Sequence, residues 1–248
     1  MIDQLGVSAV RSDLEWARIE PERGKYILSP RTKEIFRRLN DIGVKPLMGL
    51  WYGNPIYDNP FDPEAFVRFA DWYIGEVKQW VLGFQLWNEP QNFGFGKRYE
   101  GRFHGGTGRG KNQEWAPWLK EFAPFAIYTS KHIKEKHPDI TLIGYSLNAP
   151  ATQRLALKPE AWQHLDALAF HGYAFRFPPE IVPFGGQQLN ERDGVVTAAA
   201  NHSYESHVDY YRKAMKRAGR PDIELWKTEG GFPTYQSKKS KHFLGVTE

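Results

Sequence analysis

Apolar and polar positions along this chain follow two alternating periods. Short apolar runs at 7–12, 44–50, 81–87, 140–145, 166–170 and 223–228 read as buried strands. Between them lie longer stretches with helical spacing. Residues 30–42 predict a helix with Ile35, Phe36 and Leu39 on its inner face, and 62–78 predict another, opened by Asp62-Pro63-Glu64 as an N-cap followed by proline in the first turn. Further helices are expected at 114–136 and 203–218, the last closed by Gly219, with a poorer one at 151–164. Strands alternating with helices over the whole length argue for a parallel sheet joined by right-handed crossovers.

Candidate chemistry decides between an open sheet and a barrel. Arg11, Trp51, Glu89, His171 and Glu229 fall at or near the carboxyl ends of several different strands. An open doubly wound sheet gathers ligands at one switch point, whereas a barrel gathers them around its rim. The expected class is therefore α/β, a (β/α)8 TIM-barrel type forming a single catalytic domain over 1–248. About six strand-helix units are visible where a closed barrel needs about eight. Few residues precede the first strand, so the reading is of a fragment that lacks the first and last strands.

Composition adds bounds. The chain has 248 residues, 41% hydrophobic, enough for a sizeable core. Nine Trp and twelve Tyr offer flat faces that suit sugar rings, although a rich core would look the same. A net charge of +4 is scattered apart from Lys238-Lys239-Ser240-Lys241, which argues against a nucleic-acid footprint. No Cys means no disulfides or thiolate metal sites, and His132/His137 and His202/His207, five apart, give no helical metal pattern. Neither a signal peptide nor a membrane-length segment is evident, while the localisation of a longer parent, secreted or not, stays open along with the oligomeric state. Gly105-Gly106-Thr107-Gly108-Arg109-Gly110-Lys111-Asn112 nearly spells a phosphate loop, but Asn112 stands where a hydroxyl residue should bind magnesium, so a flexible lid is the better reading. The long loops 91–112 and 175–202 are expected to form lids or partner surfaces.

Two carboxylic acids stand out. Glu89 follows a buried strand in Trp87-Asn88-Glu89-Pro90, and Glu229 ends another in Thr228-Glu229-Gly230. Period-two alternation puts Gln85, Trp87 and Glu89 on one face, as it does Arg11 and Asp13. It also points Trp226 away from Glu229, toward the helices. Lys227 would then face inward, unless a bulge at Thr228 turns it out or an acid pairs with it. A cationic Arg11 near Glu229 would hold that acid ionised, while Glu89, beside Trp87 and away from cations, would keep its proton.

Arg11-Ser12-Asp13-Leu14-Glu15-Trp16, then Ile19-Glu20-Pro21 and Gly24-Lys25-Tyr26, then Trp87-Asn88-Glu89-Pro90, His171-Gly172-Tyr173 and Thr228-Glu229-Gly230, in that order, resemble glycoside hydrolase clan A, of the family 5 and family 39 type. The resemblance spans barrel strands two to seven. It implies a retaining glycosidase acting on an oligo- or polysaccharide or a small glycoside, with Glu89 as general acid/base, Glu229 as nucleophile and no cofactor or metal. It further implies that Asn88 binds the hydroxyl next to the reacting carbon and that His171 and Tyr173 line the same wall. Trp51 and Tyr52 could stack on sugar or simply pack at the rim, with Trp16 and Trp226 weaker candidates. The rival reading is an inactive or truncated carbohydrate-binding barrel without turnover.

Overall fold

The computed structural model describes residues 3–92, 94–95, 116–173, 191–192, 195–196 and 203–231. Six strands form one sheet: β1 (Ala9–Asp13), β2 (Lys45–Leu50), β3 (Gly83–Leu86), β4 (Leu142–Tyr145), β5 (Ala167–His171) and, after a two-stranded ribbon of β6 (Glu191–Arg192) and β7 (Val195–Val196), β8 (Glu224–Glu229). All five pairings are parallel, and the spatial order follows the chain. Such an order has no switch point. A flat sheet would hold β1 and β8 roughly 24 Å apart, at about 4.8 Å per strand. Instead Arg11 of β1 meets Glu229 of β8 at 2.5 Å. The sheet is therefore curled into part of a barrel, with its two outer strands facing each other across the mouth.

The helices α1 (Trp16–Ile19), α2 (Pro30–Asp41), α3 (Pro63–Val77), α4 (Pro117–Lys136), α5 (Ala149–Leu155) and α6 (Tyr204–Arg217) fill the connections. Their local causes match the sequence pattern. Asp62 accepts a hydrogen bond from the Ala65 N–H with Pro63 at the first helical position, and Ser203 caps α6 through Ser206 N–H. Gly219, at φ 75°, ends α6 in the left-handed conformation that glycine adopts without steric cost. Between sheet and helices lies the main core, an aromatic mass that includes Trp16, Phe66, Phe69, Tyr73, Phe84, Trp87, Trp118 and Phe122.

Three expectations are corrected by the packing of α2, α5 and β8. Ile35 is exposed, because the buried stripe of α2 runs through Phe36, about 100° further round the helix, where Trp80 packs against it. The helix expected at 151–164 is a seven-residue α5 followed by a short 3-10 turn at Pro159–Ala161. Trp226 packs not on the helices but inside the barrel, with Leu47, Ile143, Ala167 and Ala169. The last error has a clear source. Phe170 pairs with Lys227 and His171 with Glu229, so Thr228 is an extra residue in β8 and reverses the alternation beyond it. The same bulge resolves Lys227, whose ammonium group lies 5.1 Å from the Tyr204 ring centre in the helical layer.

Candidate active site

The turn that carries the first acid begins where β3 ends. Trp87 and Glu89 have positive φ angles, 67° and 42°, a conformation that costs of order 1–3 kcal/mol for each non-glycine residue. Packing holds it in place. Trp87 is fully buried among Phe61, Phe66, Phe95, Phe122 and Phe125, so it points into the aromatic core and does not share a face with Gln85 and Glu89 as strand alternation predicts. Asn88 and Glu89 are thereby thrown over the carboxyl ends of the strands. Three contacts fix the turn: Trp87 N–H donates to Leu50 C=O at 2.9 Å, Gln85 Nε2 donates to Trp87 C=O at 2.9 Å, and Glu89 N–H donates to Ser146 Oγ at 3.0 Å.

Glu89 and Glu229, 140 positions apart in the sequence, converge here. One carboxylate oxygen of each and Nδ1 of His171 lie within 4.8 Å of one another. Glu89 Oε1 is 2.7 Å from His171 Nδ1, and its Oε2 accepts from Asn92 Nδ2 at 2.9 Å. Glu229 has different company. Its Oε1 accepts from Arg11 and its Oε2 from the Tyr173 hydroxyl at 2.7 Å, with His171 Nδ1 3.5 Å away. Burial of Tyr173, reinforced by its bond to Glu229 and the nearby acidic charges, pushes the phenol above its ordinary range, so it remains a donor.

Arg11 is the centre of the cluster. Its Nε donates to Gln85 Oε1 at 3.1 Å, one terminal nitrogen to Glu229 and the other to Asn88 Oδ1 at 2.7 Å, and its guanidinium carbon sits 4.8 Å from the Trp51 ring centre. That ring needs Gly49: a methyl group there would fall 2.1 Å from it. Trp51 also donates to Asp13 at 3.3 Å and is buried, so its face is engaged with the guanidinium. Tyr52 is half-buried beside it and accepts from Asn88 Nδ2 at 3.1 Å. Burial raises the Tyr52 phenol, as do the charges of Asp13 and Glu229. Trp16 is fully buried and bonds to Glu20, a core role.

All eight residues singled out in the sequence, Arg11, Trp51, Tyr52, Asn88, Glu89, His171, Tyr173 and Glu229, thus belong to one contiguous cluster. Sequence reasoning missed Ser146 and Asn92 and gave Gln85 no part in the site. Ser146 was accessible to it, since it follows β4 directly and so lies on the same rim. Glu89, His171 and Glu229 are also the group among the described residues with a donor set suited to a metal ion. His132 and His137 both approach Asp71, at 2.9 and 3.4 Å, because His137 lies just past the end of α4 and is not bound to the helical spacing. The phosphate-loop-like segment, His202 and most of both long loops lie outside the described residues.

No family model matches the sequence, and no curated protein matches it. Solved structures do. A family 39 glycoside hydrolase from Bacteroides cellulosilyticus WH2 aligns with 99% of this chain and 55% of its own, at TM-score 0.57 and 16% identity. A beta-glucosidase from Exiguobacterium marinum aligns with 96% of this chain and 67% of its own, at 0.59 and 16%. A glucosidase from Croceicoccus marinus aligns with 95% and 48%, at 0.60 and 13%. The chain has the barrel fold of these glycoside hydrolases. It spans about half to two thirds of their lengths, and at these identities the likeness is one of fold.

Proposed function

We propose that this chain carries the catalytic centre of a retaining glycoside hydrolase acting on an oligo- or polysaccharide or a small glycoside, with 1–248 as one partial-barrel domain. The observation that carries the reading is the convergence of Glu89 and Glu229 with unequal surroundings. Oxygens within 4.8 Å sit nearer the separation of about 5 to 5.5 Å found between the carboxyl groups of retaining enzymes than the 6.5 to 9.5 Å or so that leaves room for a water.

In this reading the Glu229 carboxylate, oriented by Arg11 and Tyr173, attacks the anomeric carbon. The bond from that carbon to the leaving oxygen breaks as Glu89 transfers its proton to the oxygen, leaving a glycosyl ester on Glu229. Water then attacks the same carbon, Glu89 takes its proton, and the ester bond breaks to free the sugar and restore the carboxylate. Asn88, anchored on Arg11 and Tyr52, presents its amide to the neighbouring hydroxyl. Two carboxyl groups and water suffice, so no cofactor enters.

Hydrolysis of a panel of nitrophenyl glycosides by wild type, Glu89→Ala and Glu229→Ala tests this. The substitutions are expected to lower kcat by about three orders of magnitude or more, with azide restoring turnover to Glu229→Ala. Wild-type hydrolysis that both variants retain would remove the reading. One observation favours a second reading, a carbohydrate-binding barrel without turnover: β1 and β8 have no further strand beside them among the described residues. Calorimetric binding of oligosaccharides with no hydrolysis by any form would select it.

A further inference from the structure

Gln85 has no assigned part in the reaction, yet it is fully buried inside the barrel and every polar atom of its amide is used. Its Oε1 accepts from Arg11 Nε at 3.1 Å. Its Nε2 donates to Trp87 C=O at 2.9 Å and to Ser146 Oγ at 3.1 Å, and Ser146 Oγ in turn accepts the Glu89 N–H at 3.0 Å. Ser146 also meets the Tyr145 carbonyl at 2.9 Å, which takes its hydroxyl proton. The amide thus stands between the guanidinium that grips Glu229 and the strained turn that carries Asn88 and Glu89.

We propose that Gln85 is a positioning residue that couples the two acids, holding Arg11 in the orientation that serves Glu229 while pinning the turn that aims Glu89. This deepens the glycosidase reading and rests on it. The chemistry leaves little choice of side chain. Arg11 Nε can only donate and the Trp87 carbonyl can only accept, so the residue between them must accept at one end and donate at the other. An amide does both. A carboxylate would repel the carbonyl and compete with Glu229 for Arg11, and a methionine of similar length would take this acceptor from the buried guanidinium N–H and this donor from the Trp87 carbonyl.

The test compares Gln85→Met and Gln85→Glu with wild type on the best nitrophenyl glycoside, with active sites titrated so that kcat refers to folded enzyme. Both variants are expected to lower kcat about ten- to hundredfold while KM stays within about twofold, as for a loss of alignment in the reacting state. Gln85→Glu is further expected to move the acidic limb of the pH–rate profile upward, since the new carboxylate draws Arg11 from Glu229. A side chain that only fills space would lower the melting temperature and the active fraction, but leave kcat per site and the acidic limb where they were. That result would overturn the inference and leave the glycosidase reading standing if Glu229→Ala remains inactive. Ser146→Ala, a smaller cut in the same chain of contacts, is expected to lower kcat several-fold and serves if Gln85→Met does not fold. Nitrogen-15 NMR of the Arg11 Nε–H needs no turnover. Its exchange with solvent is expected to quicken at least tenfold in Gln85→Met, and unchanged exchange would overturn the inference even if the wild type proved inactive.

Discussion

Arg11 gathers more of the site than any other side chain. Exposed ion pairs contribute only about 0–1 kcal/mol, but Arg11 and Glu229 are mostly covered, at 19% and 26% side-chain exposure, and the guanidinium has Gln85, Asn88 and Trp51 as further partners. What it supplies is direction. A lysine would keep the charge and lose the planar fork that reaches three acceptors at fixed angles. Arg11→Lys is therefore expected to lower kcat by about a hundredfold with a small change in melting temperature. Steady-state kinetics on the glycoside panel checks this, and a kcat within twofold of wild type would contradict it. Arg11, Trp51, Glu89, His171 and Glu229 were legible in the sequence because each falls at or near the carboxyl end of a strand, whereas the parts of Asn88 and Tyr173 came from the resemblance to clan A motifs. Trp87 and Trp226 were misdirected because regular alternation was assumed through a positive-φ turn and through the Thr228 bulge, two local departures that tertiary packing selects.

At the scale of elements, the strands and long helices fell within a few residues of their expected ends, because caps such as Asp62 and Ser203 and stops such as Gly219 are written locally. The chemistry of an element's buried face is less legible. His207 on α6 looks in sequence like any helical histidine, yet it packs against Phe170 and Tyr211 at ring separations of 6.0 and 5.1 Å, and neither ring nitrogen finds a hydrogen bond of normal geometry among the described residues. Burial pushes its pKa down to about 4, opposed only by the His171 backbone nearby. The unfolded chain, with an ordinary histidine near 6.5, binds more protons between those values. Stability from the neutral ring is thus complete above about pH 6.5 and is lost as pH falls toward 4, by up to roughly 3 kcal/mol. Urea midpoints at pH 7.5 and 5 are expected to differ for wild type and to differ less for His207→Phe, in which His137 and His164, also lowered by burial, still titrate. Equal acid sensitivity in both proteins would contradict the assignment.

For the whole molecule, the decisive feature is curvature. Parallel order and strand-helix alternation were readable from periodicity, and the rim placement of polar residues pointed to a barrel, but no local pattern states that β1 and β8 approach closely enough for Arg11 to reach Glu229. That contact emerges only when all six strands coil together. Among the described residues no helix is long and apolar enough to cross a membrane. The chain shares its fold with glycoside hydrolases, and the proposed reading gives the two converging acids different jobs. A 2-deoxy-2-fluoro glycoside with a good leaving group tests that division most directly, since it slows the second step and lets the ester accumulate. Peptide mass spectrometry after such trapping is expected to find the sugar on Glu229 and none on Glu89→Gln protein that also carries Glu229→Ala; a label on Glu89, or hydrolysis of the parent glycoside with inverted anomeric configuration and no label, would contradict the account.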